Sequence, residues 1–160
     1  MILIALAAGW AGLAGCSKPV GRLPGGAAAR MPDACDGKLV TQADIAPIVG
    51  EAITSVKPVE GDAQSCRFTT ATLTSVTVSL RPGLGRATVD TWLSGKMPLA
   101  VTPVAGIGDR AVWQPTLHEV IAEKHDLLCD VGVSGPPAAS AAATPAHVGA
   151  VCAKVFAARS

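Results

Sequence analysis

Apolar and polar residues alternate most regularly over residues 75–80, where Val76, Val78 and Leu80 fall on one side and Ser75, Thr77 and Ser79 on the other. A two-residue period of this kind marks a strand with one buried face. Residues 53–59 and 65–70 read as two strands before it, with Glu60-Gly61-Asp62 as the hairpin loop between them. Ahead of these strands, Thr41 followed three places later by Asp44 opens a capped helix over 43–49. Gly50 ends that helix, and Pro47 inside it limits it to two turns or fewer. Pro82 and Gly83 break the pattern before residues 87–96, where Val89, Trp92 and Leu93 recur at helical spacing up to Gly95. Strands are predicted again around 110–113, 117–122 and 126–134, with turns at Gln114-Pro115 and Glu123-Lys124. Thr144 and Pro145 then open a last helix whose buried stripe is Val148, Cys152, Val155 and Phe156. The order is helix, three strands, helix, three strands, helix. It predicts an α+β domain, an antiparallel sheet of about five to six strands with helices packed on it.

The first residues follow a different pattern. Residues 2–14 form an uncharged apolar run that ends in Leu13-Ala14-Gly15-Cys16. Such a run is the length of a secretory h-region and short of the roughly 20 residues a spanning helix needs. The order of the last four residues is that of a bacterial lipoprotein signal. Ala14 and Gly15 suit a narrow peptidase cleft, and the Cys16 thiol takes up diacylglycerol. The expectation is therefore a signal over 1–15 that is removed, and an N-terminus lipidated at Cys16. Signals of this kind normally open on Lys or Arg, whereas the first charged residue here is Lys18, which leaves a start further upstream open. Residues 16–34 are rich in Gly, Pro and Ala without a hydrophobic period and read as a tether with a reach of roughly 20 to 25 Å. Residues 35–160 make one domain. With Ser17 after the lipidated residue, the address is the periplasmic side of the outer membrane in a Gram-negative host. In a Gram-positive host it is the outer face of the cell membrane.

Charge narrows the partners. Lys and Arg number 13 against 12 Asp and Glu, a formal net charge of +1, so nothing offers the clustered positive charge that nucleic acid or a polybasic membrane contact requires. There is no Tyr, and beyond the signal the aromatics are Phe68, Trp92, Trp113 and Phe156. Stacking platforms for sugars or bases have little to work with.

The four cysteines after Cys16 are Cys35, Cys66, Cys129 and Cys152, an even number in a chain addressed for export, where disulfides are the default. Cys129 shares the apolar side of its strand with Leu127, Val131 and Val133, while Cys152 shares a helix face with Val148, Val151 and Val155. Those faces should meet. Cys66 lies in a strand beside Phe68, and Cys35 just precedes the first helix, so the predicted bridges are Cys35–Cys66 and Cys129–Cys152. On the chain-entropy account each contributes about 3 to 4 kcal/mol. Zinc, which favours CxxC-type spacing, gets little support.

Cys35, the capped helix up to Gly50, Cys66-Arg67-Phe68 and the later Gly106-Ile107-Gly108-Asp109 turn with Ala111 and Trp113 follow one another in a recognisable order. This order resembles small exported bacterial lipoproteins of unassigned function over about residues 35–158, and such domains resemble the PsbP-type α-β-α sandwich. The resemblance implies that fold and brings no catalytic residues. The second cysteine pair goes beyond the two-cysteine pattern of those proteins.

Catalytic motifs are sparse. Gly132-Val133-Ser134-Gly135-Pro136 departs from a nucleophile elbow because Pro136 stands where the second Gly belongs, and it reads as a strand end entering a loop. Gly106-Ile107-Gly108 lacks the third Gly and the helix of a phosphate loop and reads as a turn. His118, Glu119, His125 and Asp126 are the one group with metal-ligand chemistry, able to meet across a hairpin, but without a His-Glu-x-x-His motif or a third obvious ligand, and no metal or other cofactor is expected. Asp90, Asp109 and Asp130 are the carboxylates whose burial would matter for acid–base work, with Asp109 expected to order its turn. The expectation is a non-enzymatic envelope domain, held at the membrane through its lipid, that binds a small apolar molecule or an envelope protein. An apolar ligand would sit between the sheet and the second helix near Trp92 and Trp113. A hydrolase or metal-dependent enzyme with dispersed residues, and a structural or assembly factor, are the alternatives.

Overall fold

The computed structural model describes residues 33–136 and 142–159. The signal, Cys16 and the tether up to residue 32 lie outside the described residues, as does 137–141 of the loop before the last helix. Ala34, taken from sequence as the end of the tether, is buried in the core. The elements are α1 (Gln42–Val49), β1 (Ile53–Val59), β2 (Asp62–Thr70), β3 (Ser75–Pro82), α2 (Gly85–Leu93), β4 (Thr102–Pro103), β5 (Arg110–Gln114), β6 (Glu119–Lys124), β7 (Leu127–Ser134) and α3 (Pro145–Ala157). All seven strands join one antiparallel sheet in the order β1-β2-β3-β7-β6-β5-β4. The α+β class is as expected, with a seventh strand because β4, two residues long, is too short for alternation to reveal. No helix among the described residues is long and apolar enough to cross a membrane.

Alternation along the strands gives the sheet two different faces. The inner face carries Cys66, Phe68, Val76, Val78, Leu80, Val120, Cys129 and Val131, all fully buried. It packs on α1 and α3. Both predicted disulfides are present: Cys35–Cys66 ties the chain before α1 to β2, and Cys129–Cys152 ties β7 to α3, with Cα separations of 5.2 and 5.6 Å. Asp44 accepts the Thr41 N–H at 2.7 Å and the Thr41 hydroxyl at 2.6 Å, and Lys154 from α3 reaches the same oxygen at 2.5 Å. Pro47 is accommodated in a helix of eight residues. At the start of α3, Thr144 Oγ1 accepts the His147 N–H at 3.2 Å, with Pro145 in the first turn.

The outer face is divided. Its β5–β6–β7 half presents Val112, Ile121 and Leu128, which α2 covers with Val89 and Trp92. Arg110 on β5 ties the helix down: its Nε donates to Glu123 Oε1 on β6 at 3.0 Å, and its Nη1 pairs with Asp90 on α2. Glu123 is only 2% exposed, so that cation is what balances a buried charge. The N-terminus of α2 is capped from a distance. The Asp126 carbonyl accepts the Gly83 and Gly85 N–H groups at 2.9 and 3.2 Å, and its carboxylate accepts the Arg86 N–H at 3.1 Å. The two edge strands, β1 and β4, each contain a proline, Pro58 and Pro103.

The Gly106–Asp109 turn delivers Ile107 into the inner core. Gly108 has φ 64°, and a Cβ there would overlap the Glu123 carbonyl oxygen and stand 2.8 Å from a Phe156 ring carbon. Gly106 has φ 81° with open space around it. Gly106→Ala should therefore cost only the left-handed backbone term, about 1 to 2 kcal/mol. Gly108→Ala should add overpacking and lose about 2 to 4 kcal/mol in all, read by urea unfolding; equal losses at the two positions would contradict this packing. Arg110→Ala should lower the urea midpoint by leaving Glu123 buried without its cation, and adding Glu123→Gln should recover most of the loss.

Candidate functional site

Past Leu93 the α2 helix stops at Ser94 and Gly95, whose φ of 69° turns the chain back toward β4. The returning segment and the end of the helix border an open cleft of about 360 Å³, lined by Trp92, Leu93, Met97, Leu99, Val101 and Pro103 among others. No residue that lines it is ionisable or carries a nucleophile. Leu93 is 42% exposed, and Trp92 is partly buried against the α2 cluster. A second depression, about 340 Å³, shares Leu93 and Pro103 and runs along Val104, Ala105 and Ala111 to Asp109 and Arg110. The volumes lie at the low end of those that hold small ligands.

Trp92 and Trp113 do not line one pocket, which corrects the placement expected from sequence. On β5, Val112 points to the outer face under α2, so Trp113, one residue on, points to the inner face. There it is 9% exposed and meets the His118 ring edge to face, with ring centroids 6.2 Å apart. The sequence puts Trp92 on a helix and Trp113 on a strand but does not say which faces those elements turn toward each other.

His118 and His125 are not brought together either. They stand at opposite ends of β6, roughly 20 Å apart along an extended strand. The expected turn at Glu123-Lys124 is instead part of the strand, which pairs Lys124 with Leu127 and turns through His125 and Asp126. Both turn residues have positive φ, 49° and 63°, as a two-residue type I′ hairpin requires. Asp126 caps α2, and the His125 N–H donates to Asp109 Oδ2 at 3.0 Å, so the Asp109 carboxylate joins the β6–β7 turn to the Gly106–Asp109 turn. Among the described residues, no three of His, Cys, Asp and Glu are grouped closely enough to hold a metal ion. Ser134 ends β7, with its hydroxyl 2.9 Å from that of Ser75 on the neighbouring strand.

The uncovered half of the outer face is polar. Ser65 Oγ donates to Asp62 Oδ2 at 2.7 Å and lies 2.7 Å from Ser79 Oγ, and Arg81 reaches the same Asp62 oxygen at 2.6 Å. Next to Ser79, Asp130 on β7 meets Glu119 on β6 across a diagonal of the ladder, since Glu119 pairs with Gly132 and Ile121 with Asp130. A shallow depression of about 260 Å³ opens over them, lined also by Thr77, Leu117 and Ser134. Burial, then the charge of Glu119 and a hydrogen bond with it, pushes the Asp130 carboxyl well above the usual carboxylate range, and Arg81 opposes the shift only in part. In the sequence Asp130 stands alone and Glu119 groups with the histidines; the signal for the pair lies in the β6–β7 register, which depends on a turn that the local sequence does not announce.

Comparison with protein-family models, with curated proteins and with solved structures finds no match to this chain.

Proposed function

We propose that this chain is an envelope lipoprotein, anchored through a lipidated Cys16, whose folded domain binds a small apolar molecule in the cleft beside Trp92. The depression carries the reading: Trp92, Leu93, Met97, Leu99 and Val101 are among its lining side chains, and it lies beside α2, which packs on the sheet through Val89, Val112, Ile121 and Leu128. Leu13-Ala14-Gly15-Cys16 supports the anchor, the two disulfides are compatible with an exported protein, and the resemblance to small exported lipoproteins points the same way. Such a domain acts by holding its ligand rather than by transforming it, because the walls offer no group to move a proton or attack a bond. An envelope protein as partner is the second reading. It is favoured by Leu73 and Leu117, which are 78% and 47% exposed on turns at one end of the sheet.

Two measurements test this. Replacing Cys16 with Ser should move the protein from the membrane to the soluble fraction, and the intact mass of the wild type should carry the acyl groups; an unmodified N-terminus refutes the anchor. In protein beginning at Ser17, titration with a fatty acid or an apolar dye should give a saturable change in tryptophan emission. That change should survive Trp113→Phe and vanish in Trp92→Phe, while Leu99→Asp weakens binding by about tenfold or more in calorimetry, roughly 1.4 kcal/mol. Absence of saturable binding in the wild type transfers the proposal to the protein partner.

A further inference from the structure

The Glu119–Asp130 pair lies outside the Trp92 cleft, on the uncovered half of the outer face. Two carboxyls on adjacent strands near the middle of a sheet, on the same face, repel each other when both are ionised. The nearby cation, Arg81 on β3, is already held by Asp62 at 2.6 Å. Further out, Arg67 on β2 pairs with Thr77, and Lys57 on β1 lies one strand beyond. From β5 the neighbour of Glu119 is Gln114, which is neutral, and Arg110 is bound to Glu123 and Asp90. The His118 ring packs on Trp113, whose side chain faces the inner core. Ser79 and Thr77 of β3 offer hydroxyls but no charge, and Ile121, directly opposite Asp130, offers only an apolar surface.

We propose that Glu119 and Asp130 form a pH switch in the sheet: one proton held between their carboxyls keeps β6 and β7 closed, and its departure loosens that strand pair. The folded protein holds this proton more tightly than the unfolded chain, where Asp titrates near about 3.9. Stability from the pair is therefore complete below that ordinary value and is lost as pH rises through the raised value of the folded state. The reverse holds for a carboxylate engaged by a cation. Because Ile121 links the pair to the cluster beneath α2, the loosening should begin where the outer face changes from polar to apolar.

The test is urea unfolding of the full-length protein, disulfides intact, from about pH 4 to about pH 9, comparing wild type with Asp130→Asn and Glu119→Gln. Within the titration window the wild-type unfolding constant should rise by up to about tenfold per pH unit relative to Asp130→Asn, the slope that one proton produces, whereas Glu119→Gln, which leaves Asp130 buried, should move that window to lower pH. If Asp130→Asn keeps the wild-type slope, or Glu119→Gln leaves the titration window where it is, the switch is refuted. If Asp130→Asn does not fold, the Glu119→Gln comparison decides. The Asp130 carboxyl carbon, followed by NMR in the wild type, gives an independent reading: a midpoint above the ordinary carboxylate range supports the switch, and one within it overturns the proposal.

Discussion

The pairing of β3 with β7 is the contact on which the rest of the molecule depends. Each belongs to its own run of sequential hairpins, and the ladder from Ser75–Ser134 to Pro82–Leu127 makes those runs one sheet. It aligns Val76, Val78 and Leu80 with Val133, Val131 and Cys129, and this row is the floor on which α1 and α3 pack. A shift by one residue would turn every one of these side chains to the opposite face. Cys129 sits in that row and is bonded to Cys152, so the register of the sheet and the docking of α3 are fixed together. The same ladder places Ser79 opposite Asp130 on the other face, so the polar half of the outer surface follows from the choice that builds the core.

Strand β6 shows how three side chains on one face can serve three purposes. Glu119, Ile121 and Glu123 all point outward, at intervals of two residues. Glu119 meets a carboxyl, Ile121 supports α2, and Glu123 lies buried against Arg110. The apolar cluster beneath α2 and the carboxyl pair are thus neighbours on a single strand, for Ile121 belongs to the first and stands opposite Asp130 of the second. The helix does not extend over the rest of the face, and what it leaves open carries hydroxyls and charges instead of aliphatic groups.

Much of this was legible in the sequence because it is written in local periodicity. The strand over 75–80, the Thr41–Asp44 cap, Pro145 in the first turn of α3 and the apolar stripes beside Cys129 and Cys152 each follow from residues within a few positions of one another. The two disulfide pairs could be inferred because each cysteine shares a face with identifiable core residues. What escaped depends on turns and on faces meeting at a distance. His125 and Asp126 lack the Asn-Gly or Asp-Gly signature of a two-residue turn. Local periodicity accordingly ends β6 two residues early and puts the histidines across one hairpin. Asp126 as a cap for α2, Trp113 on the opposite side of the sheet from Trp92, and the meeting of Glu119 with Asp130 all require the register that this turn sets.

The prolines at both margins of the sheet have a consequence for how this domain meets other molecules. Pro58 in β1 and Pro103 in β4 remove an N–H from each outermost strand, and β4 offers only two residues of ladder. Open strand margins invite neighbouring chains to add on and grow into ribbons. Here the backbone supplies a poor template at either side. Recognition is left to side chains on the two flanks and at the turns, and these can be selective in a way that a bare peptide edge cannot.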